Sequence, residues 1–325
     1  MRLADLTTIG LGGQAAVIEA ASQAELIELL REHPQAYVLG GGSNVVASDE
    51  GVTEPVIRIT DSGWVQRGDQ FIVAAGTVWD DFVFAMVDER RAGIDALSGI
   101  PGSVGATPVQ NVGAYGQEVA QTIAGLRVLD RSSGEITTWP SGAAGFGYRT
   151  SVFKRTPRRY VVLAVAFDLP QDATVGVRYA ELARLLGVEQ GQAAPPGQVR
   201  EAVLELRRAK GMVLDPGDPD TRSVGSFFTN PFVDAAPDGA PAWPQPDGRL
   251  KTSAAWLIEH AGIEKGFRLR DSHVAVSDKH TLALTNRGGG TTAELLDLAR
   301  TIRGRVDDAF GISLEAEPVL WGCSL

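Results

Sequence analysis

An arginine, a serine, two carboxylates and two runs of glycine are the groups in this chain that could do chemistry. The longer glycine run, 99–119, holds Gly99, Gly102, Gly105, Gly113 and Gly116 with Pro101 and Pro108. Both residue types oppose a helix, and a structureless segment of this length is usually functional. Glycine lets a backbone approach a ligand and offer N–H groups to anionic oxygens. Ser103, Thr107, Gln110 and Asn111 add short-range hydrogen bonding. The stretch reads as a backbone cradle for a phosphorylated cofactor, or as a surface Ω-loop shaped by its prolines. The second run, Gly40-Gly41-Gly42-Ser43-Asn44, follows a short apolar strand, Tyr37–Leu39. No Gly-Lys-Ser/Thr follows, which argues against an ATPase. The plain alternative is a hairpin turn, although turns rarely need three glycines.

Arg149 stands between an aromatic, Tyr148, and two hydroxyls, Thr150 and Ser151. A guanidinium there could grip a carboxylate or enolate with two prongs; its ordinary reading is a surface arginine. Ser226 follows Gly225 at the start of the aromatic pair Phe227-Phe228. No G-x-S-x-G elbow surrounds it, so a serine hydrolase is disfavoured. As a proton donor its hydroxyl would serve only a strongly basic intermediate. Glu315 and Glu317 lie on the closing stretch 312–322, which reads as a strand and would put both on one face. The spacing around His273 and His280 completes no metal site. Cys323 has no nearby histidine and reads as a bystander thiol.

The elements that must position these groups alternate short strands with a few helices. Strands are expected at Ala16–Glu19, Val56–Ile59, Phe71–Ala74, Ile123–Asp130, Glu135–Trp139 and Tyr160–Leu169. Helices are expected at 23–32, behind the capping box of Ser22 and Glu25, then at 79–91, 199–210, 253–261 and 292–310. The pattern is α+β, not a regular βαβ repeat. Gly10-x-Gly12-Gly13 has no strand before it and no helix opening on it, so it is not a dinucleotide fingerprint. The chain has 325 residues, 44% of them hydrophobic and 22% charged, with a net charge of −10. That is the composition of a soluble multidomain protein, and the acidic balance argues against nucleic-acid binding. A single cysteine excludes an internal disulfide. The start of the chain lacks a signal-peptide core and no apolar run reaches membrane-spanning length, so a cytoplasmic protein without membrane insertion is expected.

Taken in order, the motifs Gly40-Gly41-Gly42-Ser43-Asn44, Ile100-Pro101-Gly102-Ser103-Val104-Gly105, Gln110 to Gly116, Gly147 to Lys154, Gly225 to Pro231 and Leu314-Glu315-Ala316-Glu317 become specific. The chain resembles the UDP-N-acetylenolpyruvoylglucosamine reductase family over essentially its whole length. The resemblance implies an FAD-binding domain of the vanillyl-alcohol-oxidase (PCMH) type in two subdomains, 1–60 and 61–210. A smaller α+β substrate-binding domain, 211–325, would follow, its last strand at 312–322 packing back towards the flavin. It implies FAD and NADPH as cofactors and a UDP-sugar enolpyruvyl ether as substrate; a monomer without a metal is expected. By motif match the cofactor contacts would be Gly40, Gly41, Gly42, Ser43, Asn44, Pro101, Gly102, Ser103, Gly105, Asn111, Gly113 and Ala114. Arg149 would face the substrate carboxylate, Ser226 would supply a proton, and Glu317 would polarise the carboxyl group. Glu315 is its rival, because the family's proline between the two glutamates is Ala316 here. Tyr115, Tyr148, Tyr179, Lys210, Asn230 and His280 would hold the substrate, Tyr179 from a loop at 177–182 typical of the family's longer type. An FAD-dependent oxidase of the same fold on another substrate is the alternative.

Overall fold

The computed structural model describes residues 1–325, the side chain of Val175 excepted. The chain packs as two compact units. One comprises Ala16–Gly41 and Thr53–Ala209; the other comprises Met1–Ala15, Gly42–Val52 and Lys210–Leu325.

The first unit holds two sheets. Three parallel strands, Val17–Ala20, Val56–Ile59 and Tyr37–Leu39, lie in that spatial order, with Val56 between Val17 and Tyr37. Helix Gln23–Glu32 begins as its sequence dictates: Ser22 Oγ accepts the Glu25 N–H at 3.2 Å and the Glu25 carboxylate accepts the Ala21 N–H at 2.8 Å. Its Leu26 and Leu30, one turn apart, are buried. The second sheet is antiparallel, in the order Ile136–Pro140, Ile123–Asp130, Tyr160–Asp168, Gln70–Ala74, Trp64–Arg67. Helix Trp79–Asp88 inserts Trp79 and Phe82 into a core shared with Phe71 and Phe167, and the rings meet at tilted or edge-on angles. The helix stops three residues before the expected Arg91. Arg90 adopts φ 58° and Arg91 turns back, buried, to bond Asp69 and the Leu169 carbonyl. Helix Pro196–Ala209 starts earlier than expected because Pro196 begins it.

In the second unit, helices Ala254–His260 and Thr292–Phe310 pack around Phe227, Phe228, Leu257, Leu298 and Leu314. The first residues of the chain belong here: Ile9 and Leu11 are buried in the same cluster, and Asn286 donates to the carbonyls of Ile9 and Gly10 at 3.1 and 3.2 Å. Strand Val45–Ala47 pairs in parallel with Val319–Trp321. The hairpin alternative for 40–44 therefore does not hold, since the strands on either side of this segment pair with different partners. The divisions expected at 60 and 210 concern ligands and remain a proposal. Packing breaks after Ala15, Gly41, Val52 and Ala209, and Ile9, Leu11 and Val46 find their apolar cover beside Phe227 and Leu298. Among the described residues no helix is long and apolar enough to cross a membrane.

Candidate active site

In the first unit the 99–119 segment is laid along 75–80. Gly105 N–H donates to Ala75 O, Val104 N–H to Thr77 O and Trp79 N–H to Gly102 O, at 2.8, 2.8 and 3.0 Å. Trp79 Nε1 donates to Leu97 O at 3.1 Å, and Gly99 N–H donates to the Asp80 carboxylate at 2.6 Å. Arg200 grips that carboxylate with both prongs, at 2.6 and 2.9 Å. Burial alone would raise the Asp80 carboxyl, but Arg200 and the Gly99 N–H hold it below its ordinary value. Sequence reasoning missed this clamp, because Asp80 and Arg200 lie far apart in the chain.

Two of the glycines answer to neighbouring protein atoms, Gly41 to backbone and Gly40 to a side chain. A Cβ on Gly41 would stand 2.6 Å from Gly102 Cα, and one on Gly40 would stand 2.2 Å from Ser103 Oγ. The run ending in Gly41 thus lies directly against Pro101-Gly102-Ser103. Among the described residues the N–H groups of Gly41, Gly102 and Ser103 meet no protein acceptor, although Ser103 is buried. Three backbone donors at one close crossing suit the oxygens of a diphosphate.

Residues 113–118 form a two-residue hairpin. Gly113–Ala114 pairs with Gln117–Glu118, and Tyr115 and Gly116 turn at φ 49° and 86°. A non-glycine residue at such an angle carries strain. Asn111 and Arg149 share it, at φ 48° and 51°. Arg149 is the second central residue of the tight turn closed by Gly147 and Thr150, and Tyr148 is the first. Its Nη2 donates to Gly113 O at 2.6 Å and its guanidinium lies 5.6 Å from the centre of the Tyr148 ring. Asn111 joins the two turns: its amide donates to Glu118 at 2.8 Å and to Gly147 O at 3.2 Å, while its oxygen accepts the Ala120 N–H at 3.1 Å. Tyr115 meets Tyr179 edge-on, ring centres 5.3 Å apart. Tyr179 is exposed and immediately precedes helix Ala180–Leu186. Arg207, buried nearby, is pushed down to about 10 by burial, a shift that Tyr115 and Asp80 oppose.

In the second unit Ser226 is held between two neighbours. It bridges Ala283 on one side, where Phe227 N–H donates to Leu282 O at 2.7 Å. On the other side Glu317 N–H donates to Phe227 O at 2.8 Å, and Phe228 bridges Ala316. The buried rings of Phe227 and Phe228 fix the register. The expected strand over 312–322 is shortened to Val319–Trp321. Glu315 and Glu317 consequently do not share a surroundings: Glu315 is exposed and Glu317 is 9% exposed. Asn44 reaches Glu317 O at 3.5 Å, and its own carbonyl accepts the Val319 N–H at 2.9 Å. Gly42 and Ser43 precede it, with Gly42 O accepting the Thr8 N–H at 3.1 Å. Asn230 Oδ1 accepts the N–H of Ala254 in the first helical turn at 2.9 Å. His280 stands in the turn of Ser277, whose Oγ accepts its N–H at 3.2 Å. Lys210 follows directly on helix Pro196–Ala209. The expected site residues are thus divided between the two units.

A UDP-N-acetylenolpyruvoylglucosamine reductase of Thermobifida fusca (strain YX) is 51% identical to this chain over 99% of its length and 97% of the relative's. The chain belongs to the UDP-N-acetylenolpyruvoylglucosamine reductases. The family's C-terminal domain model matches residues 218–321 of this reductase, and the FAD binding domain model matches 14–139. A second UDP-N-acetylenolpyruvoylglucosamine reductase, from Cutibacterium acnes (strain DSM 16379 / KPA171202), is 49% identical over 99% of this chain and 90% of its own. The crystal structure of the Thermus caldophilus UDP-N-acetylenolpyruvylglucosamine reductase aligns with a TM-score of 0.68 at 26% identity, covering 99% and 97% of the two chains. The reductase has the α+β fold and the FAD-binding domain expected from sequence. Both glycine runs fall within or overlap the residues matched by the FAD binding domain, and the backbone donors at their crossing fit that cofactor.

Proposed function

We propose that this flavoenzyme reduces the enolpyruvyl ether of UDP-N-acetylglucosamine to UDP-N-acetylmuramate in peptidoglycan precursor synthesis, with FAD and NADPH. Near-half identity to family members over the full chain supports the reaction. The observation that supports the residue roles is the buried Glu317, whose N–H donates to the carbonyl of Phe227, the residue after Ser226.

The backbone N–H groups of Gly41, Gly102 and Ser103 would hold FAD, with Gly40, Gly42, Ser43, Asn44, Pro101, Gly105, Asn111, Gly113 and Ala114 completing its contacts. Bound there, FAD would supply the hydride-transfer chemistry that connects NADPH to the β-carbon of the enolpyruvyl group. Hydride addition to that double bond puts negative charge on the attached carboxylate, which needs a fixed cation. Arg149 supplies it: the turn that gives it φ 51° and the contact to Gly113 O limit its freedom before substrate arrives. Ser226 Oγ gives the proton that completes the α-carbon. A hydroxyl is a weak acid, and it suffices because the intermediate is strongly basic. Glu317 polarises the substrate carboxyl group, a role for which its burial suits it better than the exposed Glu315. Tyr115, Tyr148, Tyr179, Lys210, Asn230 and His280 bind the UDP-sugar, from a cofactor region at 1–210 and a substrate domain at 211–325. The enzyme works as a cytoplasmic monomer.

The test is Ser226→Ala with the two half-reactions measured apart. Flavin reduction by NADPH is expected within about twofold of the native rate, while reoxidation by the enolpyruvyl sugar slows by about 100-fold or more. Equal loss of both would remove Ser226 from this role.

A further inference from the structure

The stretch Asp215-Pro216-Gly217-Asp218-Pro219-Asp220 is a conspicuous run of turn formers to which the reaction gives no task. Its last residue is buried. The Asp220 carboxylate is 5% exposed; its Oδ1 forms an ion pair with Arg287 Nη2 at 3.0 Å and accepts the Asp278 N–H at 3.1 Å. Arg287 Nη1 reaches the Asp278 carboxylate at 3.1 Å, and Lys279 pairs with Asp218. Asp218 in turn caps the Asp220 N–H at 3.0 Å. A buried carboxylate with two such partners resists separation from either, because an unpaired charge there is costly. The acidic loop and the 277–280 turn are therefore tied together.

The same side chain touches a second strategic place. Gly211, at φ 65°, follows Lys210, and a Cβ on it would stand 2.9 Å from Asp220 Cβ. The backbone just after Lys210 thus rests on Asp220, while the backbone two residues before His280 is bonded to it. Beyond His280 the turn closes by Ala283 N–H to His280 O at 3.0 Å, and Ala283 bridges Ser226.

We propose that Asp220 is a positioning residue for the substrate: one buried carboxylate, with Arg287, sets the spacing of Lys210 and His280 for the UDP moiety. This rests on the reading that Lys210 and His280 contact that moiety. A brace of this kind acts on substrate affinity and leaves flavin reduction alone.

The experiment compares Asp220→Ala, Asp220→Asn and Arg287→Gln holoenzymes. The Kd of the UDP-enolpyruvyl sugar is read from the shift it causes in flavin absorbance, beside the limiting rate of flavin reduction at saturating NADPH and the Tm. Asp220→Ala is expected to weaken the sugar about tenfold, with the limiting rate within about twofold. Asp220→Asn recovers part of the affinity, since its amide oxygen still accepts the Asp278 N–H. Arg287→Gln follows Asp220→Ala and serves in its place if the alanine variant does not fold. A native Kd with a lowered Tm would overturn the proposal. Lys210→Ala and His280→Ala separate the two layers. If neither weakens the sugar, the substrate reading fails and the brace with it. If both weaken it and the Asp220 variants do not, the brace alone fails.

Discussion

Asp95 carries a carboxyl that its surroundings hold back from ionising. It is 2% exposed, and burial raises it above the ordinary carboxylate range, against the opposing hydrogen bonds of the Gly93 N–H and Gln117. Gln117 belongs to the hairpin that carries Tyr115, and its Oε1 accepts the Ala96 N–H at 2.8 Å. For a carboxyl raised in the fold, the stabilising contribution is complete below its unfolded value and is lost as pH rises through the folded value. Asp95→Asn removes that loss. We expect the variant to melt at higher temperature than the native protein at pH 8, with the difference shrinking as the pH is lowered through the raised carboxyl. Thermal melts at pH 5 and pH 8 check it; a constant difference would show that ionisation of Asp95 plays no part. At this scale the sequence offers candidates: the neighbours of Arg149 and Ser226 allow chemistry without requiring it, and the roles proposed for them and for Glu317 come from the family motifs. What separates Glu317 from Glu315 is burial, which a two-residue spacing does not encode. The strained φ of Arg149 and Tyr115 was equally invisible, since neither is a residue type that turns favour at positive φ.

Among the elements, the two glycine runs are the part of the sequence whose meaning changes most. Composition reads them as room for a ligand. At Gly40 and Gly41 the room is already taken by Ser103 and Gly102, so these residues first bring two backbone segments together. The cofactor donors are a consequence of that crossing. Gly41→Ala pushes a Cβ to 2.6 Å from Gly102 Cα, where only a backbone shift can relieve it. We expect a protein that still folds but purifies with less than about half the native FAD content, because the displaced donors lose their shared geometry. Absorbance at the flavin and protein bands measures it; native FAD content would mean that the crossing does not serve the cofactor. The strands and helices were largely readable from periodicity and caps, as the Ser22–Glu25 box illustrates. The errors came where a distant partner decides. The helix from Trp79 ends early because Arg91 is drawn to Asp69 and Leu169, and the closing strand is shortened to the residues that face Val45–Ala47.

At the level of the whole molecule, the chain order conceals the packing. The first fifteen residues and 42–52 share a core with residues beyond 210, although the sequence suggests a simple succession of domains. Periodicity marks a segment as apolar but not which core will cover it, so Ile9, Leu11 and Val46 gave no sign of their partners. The resemblance to a reductase family survived this, because it rests on ordered motifs and not on the packing of segments. The central claim is that one protein carries both half-reactions, and an anaerobic absorption experiment on the purified holoenzyme tests it directly. NADPH should bleach the flavin, and the UDP-enolpyruvyl sugar should then restore its colour without oxygen. A flavin that bleaches but regains colour only when oxygen is admitted would contradict the account and point to an oxidase.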